Sequence, residues 1–157
     1  MYRLQNNRRT ILLMNKFILF FVIFLFYPLI LLANENQDFF TNGKKNFDLK
    51  KIDISKIYFE KDLVRNPKNY KSYLYLAKIY KIKQNNLEYE KNLNTVLLIK
   101  PKNEEALYLL IKKKIKDGDY DLAKKKLDIF NSFCIKMCNK KSELLKLINT
   151  FKTWWVL

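Results

Sequence analysis

Cys134 and Cys138 stand four residues apart in a 157-residue sequence that has no other cysteine and no histidine. Three kinds of chemistry are open to such a pair: a disulfide in an oxidising compartment, two inert buried thiols, or a dithiol that exchanges with thiols of other proteins. At helical spacing their Cα atoms lie roughly 6 Å apart, within the range that a disulfide accepts. The exchange-active spacing is usually Cys-x-x-Cys after a strand-to-helix turn, and neither feature is found here. Haem attachment needs a histidine directly after the second cysteine, and Asn139 stands there. The missing histidine also removes the usual general base, the commonest metal ligand and the partner of a Ser or Cys nucleophile. Carboxylates are scattered and no Gly-rich phosphate loop occurs. The sequence thus points away from an enzyme, and no catalytic, cofactor-binding or metal-ligating residue is assigned.

Lysine is the other abundant chemical group. Thirty-one Lys and Arg face 15 Asp and Glu, a net charge of +16. Arg3, Arg8, Arg9 and Lys16 precede an uncharged run from Phe17 to Leu32, which ends at Ala33 before the polar Asn34, Glu35 and Asn36. A basic start, an apolar stretch and a small residue before polar ones have the layout of a secretory signal cleaved after Ala33. Leu31 stands where a small residue is usual, so residues 1–33 also read as an uncleaved anchor in the inner membrane. Positive charge ahead of the span places the rest of the chain outside, periplasmic or otherwise extracytoplasmic. Membrane contact is expected only through residues 17–32. Without residues 1–33 the chain keeps 27 cations against 15 acids, a net +12, and Arg65 is the one arginine among them. Nucleic-acid readers lean on Arg forks, so nucleic acid is not expected as a partner.

The elements that position these residues read as helices. Two Gly and three Pro leave few residues for the tight turns of an all-β fold, and 49% hydrophobic content suits a packed core. Pro67 and Pro101 lie 34 residues apart, each before Lys-Asn. The same shift relates Phe39, Tyr73 and Leu107; Gly43, Ala77 and Ile111; Ser55, Tyr89 and Ala123; and Phe59, Leu93 and Leu127. Three units follow, 36–69, 70–103 and 104–137. Tyr73, Leu76, Ala77 and Tyr80 form one helical stripe, in which the small Ala77 admits a partner helix. Asn85 with Glu88 three residues on starts a helix, and Gly118 ends one just before Asp119 caps the next. Leu144, Leu145, Ile148, Phe151 and Trp155 recur at helical spacing, which predicts a capping helix over 140–153 within a final segment 138–157. Trp154 and Trp155 read either as packing on that cap or as an exposed anchor.

Taken in register, these positions resemble the tetratricopeptide repeat family. Its pattern of a large residue, Leu-Gly, an aromatic, a small residue, an aromatic or Leu and a closing Pro is matched in the second unit by Tyr73, Leu76, Ala77, Tyr80, Leu93 and Pro101, and in the third by Leu107, Leu110, Ala123 and Leu127. Tyr89, Lys114 and Asn42 depart from it, and the third unit closes on Ile135 instead of Pro. The resemblance implies an all-α fold, a short α-solenoid of three helix-turn-helix repeats plus the C-terminal capping helix, of the exported or membrane-anchored bacterial type. It also implies a concave groove lined by the first helix of each repeat. Mapped onto this sequence, the groove holds Phe40, Lys44, Phe47, Leu74, Lys78, Lys81, Tyr108, Lys112, Ile115 and Lys116, with Lys44, Lys78 and Lys112 as a ladder at one repeat position.

Such a groove suits an extended peptide that carries acidic residues or a free C-terminal carboxylate. The expected function is an extracytoplasmic adaptor or holdase for an unidentified protein partner, with no cofactor. Two other readings are open. Cys134 and Cys138 could make the chain a thiol-dependent assembly factor, as in cytochrome c maturation, or the charge alone could bind an anionic polymer or membrane surface.

Overall fold

The structure is a computed structural model that describes residues 38–154, with side chains described to residue 150. The expected export segment and Trp155 lie outside the described residues. Among those residues there are seven α-helices and no strand: α1 (Phe39–Asp48), α2 (Ile52–Arg65), α3 (Tyr70–Ile82), α4 (Asn86–Ile99), α5 (Glu104–Lys116), α6 (Tyr120–Phe133) and α7 (Lys141–Trp154). A 3-10 turn, Cys138–Lys140, precedes α7. The fold is an α-solenoid of three helix-turn-helix repeats closed by a cap.

The 34-residue period is written into the backbone. Helices α1, α3 and α5 end at Asp48, Ile82 and Lys116, and α2, α4 and α6 begin at Ile52, Asn86 and Tyr120. Between them the chain turns on one left-handed residue each time: Lys50 (φ 61°), Gln84 (φ 57°) and Gly118 (φ 79°). The next residue donates its N–H five positions back, Lys51 to Asn46, Asn85 to Tyr80 and Asp119 to Lys114. This is the Schellman arrangement, which satisfies carbonyls that a helix end leaves orphaned. Asn85 and Asp119 then act a second time: their side chains accept from the N–H of Glu88 (3.1 Å) and Leu122 (3.2 Å) and so start the following helix. Lys51 has no such side-chain bond.

The first two repeats are joined to their successors by proline turns. Asn69 donates its N–H to the carbonyl of Asn66 (3.0 Å), and Asn103 to that of Lys100 (3.0 Å), with Pro67 and Pro101 as the second turn residue. The third junction is built differently. Cys134 leaves α6 with extended backbone (ψ 138°) and is joined to Cys138 by a disulfide, Cα to Cα 5.4 Å. The pair therefore brackets a loop and not a helical turn, a correction to the helical spacing assumed from the sequence. Chain departure at Cys134 is what frees α7 to fold back as the cap, which begins at Lys141, one residue later than expected.

Each pair buries its apolar faces only by using the next helix. Phe59 on α2 packs with Leu76 and Ile79 of α3; Leu93 and Val96 of α4 pack with Leu74 and Ala77 of α3 and with Ala106 and Leu110 of α5; Leu127 and Phe130 of α6 pack with Ile111 of α5 and with Leu144 and Ile148 of α7. Three cores thus follow one another along the chain, each shared with the neighbouring pair, as expected of stacked repeats.

Candidate functional site

A cavity of about 510 Å³ opens where α3 turns into α4, beside the last turn of α5 and the cap. Lys81 and Gln84 reach it from the α3 end, Asn86 and Tyr89 from the start of α4, Lys112, Lys113, Ile115 and Lys116 from α5, and Leu147 from α7. Four cationic groups line it and no acidic one. Lys113 is bonded to Asp117 and lies 3.9 Å from Glu90, and Lys112 donates to Glu143 (3.1 Å), so both are locally balanced. Lys81 and Lys116 are exposed and have no acidic partner among the described residues. Lys81 instead lies 6.0 Å from the ring centre of Tyr89.

Tyr89 is the residue that shapes the cavity. It stands where the other repeats carry Ser55 and Ala123, and its ring is 4% exposed. Its hydroxyl donates to the carbonyl of Leu109 on α5 (3.3 Å), and burial pushes its pKa up to about 12. It therefore stays neutral and serves as a fixed wall.

Four of the ten residues expected to line the groove, Lys81, Lys112, Ile115 and Lys116, share this cavity. Phe40 and Phe47 meet instead against Tyr75, with ring centres 5.8 and 5.2 Å away, and belong with Phe59 to the first core. Leu74 and Ile115 are 7% and 3% exposed, and each packs into a core cluster. Their side chains serve packing first, because α3 is held between α2 and α4, and α5 packs on α4, α6 and α7.

The lysine ladder is paired. Lys44 donates to Asp48 in its own helix (3.2 Å), Lys78 on α3 reaches Glu105 on α5 (2.7 Å), and Lys112 on α5 reaches Glu143 on α7 (3.1 Å). Lys78 and Lys112 therefore tie successive A-side helices together. At the cap the arrangement is a cluster: Tyr108 donates to Glu143 (2.8 Å), Lys112 donates to Tyr108 (3.3 Å), and Lys140 lies 3.2 Å from the other carboxylate oxygen. These bonds from Tyr108, Lys112 and Lys140 pull the pKa of Glu143 down to about 2, and Tyr108 and Glu143 raise that of Lys112. At the position where the second repeat has Tyr80, Lys114 makes an ion pair with Glu90 of α4, which raises its pKa.

Gln84, Asn86, Tyr89, Lys113 and Leu147 are cavity residues that the sequence did not assign. Tyr89 did carry a signal, as a large residue where the other two repeats have Ser55 and Ala123. Among the described residues no group of three Cys, His, Asp or Glu is placed to hold a metal ion, and no helix is long and apolar enough to cross a membrane. No protein-family model matches the chain. No curated protein matches it either.

Proposed function

We propose that this chain is a binding module of the tetratricopeptide type, acting outside the cytoplasm, which holds a peptide segment of a protein partner and seats one of its carboxylates at the cavity between α3, α4 and α5. One observation carries the reading: Lys81 and Lys116 face an apolar floor of Tyr89, Ile115 and Leu147 without an acid to neutralise them, whereas the ladder lysines all have one. An ammonium pair without internal partners attracts an anion, and apolar walls lower the local dielectric in which it is held. The paired ladder serves in this reading as scaffolding.

The test is binding of fluorescent acidic peptides, followed by anisotropy across a salt series. Lys81→Glu and Lys116→Glu should each weaken capture roughly tenfold, the scale of one charge contact of about 1.4 kcal/mol, while Lys124→Glu on the far helix α6 should leave it unchanged. Equal losses for all three, vanishing together at high salt, would assign the binding to net charge alone. Compartment is checked separately: an alkaline phosphatase fused after residue 60 should be active, and an inactive fusion would place the module inside the cell.

A further inference from the structure

The third inter-repeat junction holds an arrangement that the other two lack. Ile135 stands 34 residues after Pro101, so a backbone N–H is present where the earlier junctions have a proline ring. The three successive N–H groups of the loop all turn toward one carboxylate. Ile135 donates to Oε1 of Glu104 (2.9 Å), Lys136 to Oε2 (3.0 Å) and Met137 to Oε2 (2.6 Å). Burial opposes the charge of Glu104, yet the three donors together hold its pKa below the usual carboxylate value. Consecutive amides converge on one anion in this way where the backbone turns back on itself. Here the fold-back lies inside the ring closed by Cys134 and Cys138.

That ring leads directly into the cap. Its last residue, Cys138, opens the 3-10 turn that leads into α7, and Cys134 and Met137 pack on the same core as Leu144 and Ile148. Leu147, one residue before Ile148, lines the cavity. The cap is therefore fastened by two buried side chains, by Glu143 in its charge cluster, and by the loop that the disulfide shapes around Glu104.

We propose that the disulfide is a reducible clasp: it presets the amide cup that grips Glu104, and its reduction loosens the cap helix and with it the cap-side wall of the cavity. The step is a two-electron exchange with a dithiol reductant. The Cys134–Cys138 bond breaks, each sulfur ends as a thiol with one proton, and the reductant's two sulfurs close into a disulfide. Without the ring, residues 134–138 regain backbone freedom, and three amides no longer converge on one carboxylate at no entropic cost. The inference stands independently of the peptide-binding reading, since it concerns order in α7 and not any ligand.

Hydrogen exchange read by mass spectrometry tests it on the full-length protein in mild detergent, oxidised and after dithiothreitol, with thiols counted by alkylation. Amides of 135–150 should exchange roughly tenfold faster or more after reduction, the size expected for opening a short cross-linked loop, while amides of α2–α4 keep their rates. Unchanged exchange in 135–150 after complete reduction would overturn the clasp. So would an equal acceleration along the whole chain, which would make the disulfide a global staple, or a disulfide that resists dithiothreitol until the protein is unfolded. Glu104→Gln separates the two halves of the device. With the disulfide intact it should raise exchange at 135–137 toward the reduced value, and no change there would remove Glu104 from the mechanism.

Discussion

The ring of Phe59 occupies the space that a Cβ at position 43 would need: a methyl group built on Gly43 would meet two ring carbons at 2.8 Å. The contact lets α1 and α2 approach closely, and the Ser55 hydroxyl, fully buried, bridges the same two helices by donating to the Gly43 carbonyl (2.8 Å). In the second repeat the equivalent positions are Ala77 and Leu93, and in the third Ile111 and Leu127. The largest partner faces the smallest residue.

Gly43→Ala is therefore expected to destabilise the protein by roughly 1–3 kcal/mol through overpacking, despite a gain of about 1 kcal/mol in helix propensity. Adding Phe59→Leu, which reproduces the second-repeat pairing, should recover much of that loss. A double-mutant cycle in urea measures it, and a coupling near zero would mean that the two positions do not press on each other.

Leu93 and Leu127 are 0% and 1% exposed, each central to its core. Replacement by Ala should cost roughly 2–5 kcal/mol at either site, because the surrounding helices refill the cavity only in part. Chemical denaturation gives the value directly; losses below about 0.5 kcal/mol at both would contradict the packing register.

Left-handed backbone at Lys50 and Gln84 carries a steric cost that Gly118 avoids. Lys50→Gly and Gln84→Gly should each stabilise by up to about 1 kcal/mol, and Gly118→Ala should destabilise by about as much, since nothing lies within 4 Å of its added Cβ and only the backbone resists. Thermal midpoints followed by circular dichroism decide the sign.

Acid should weaken the cap. The pKa of Glu143 is depressed to about 2 in the folded chain, so its contribution is present above its ordinary value near 4.5 and is lost as pH falls from there through about 2. Glu143→Gln should lower the melting temperature at neutral pH, and the gap to the wild type should close as the pH is brought down to the folded pKa. A gap that stays constant across that window would deny Glu143 its ionic role.

Most helix boundaries were legible because the chain repeats its punctuation: Asn85, Gly118 and Asp119 announce turns by residue type, and Pro67 and Pro101 mark the junctions. The first turn was not, since Lys50 adopts a glycine-like conformation with nothing in its chemistry to say so. The period placed Lys44, Lys78 and Lys112 on one side, but it could not show the acids Glu105 and Glu143, which arrive from later helices only after stacking. Offset puts Leu74 on the groove, whereas contact of α3 with both α2 and α4 turns it inward; Ile115 is as deeply buried but still reaches the cavity. Glu104 was invisible as a ligand of the loop because the contact joins a helix start to backbone amides, and backbone amides leave no trace in residue types.

The two ends of the described array are finished unequally. At one end α1 has ten residues, its turn rests on a left-handed lysine, and α2 starts without a side-chain cap. At the other, a covalent ring, a three-amide grip and a four-residue charge cluster secure α7. Helices in this stack pack mainly on their neighbours, so loss of order in one pair is felt first by the next. Among the described residues the fastenings thus gather at the cap, so heat is expected to loosen α1 and α2 before the last pair and the cavity wall it carries.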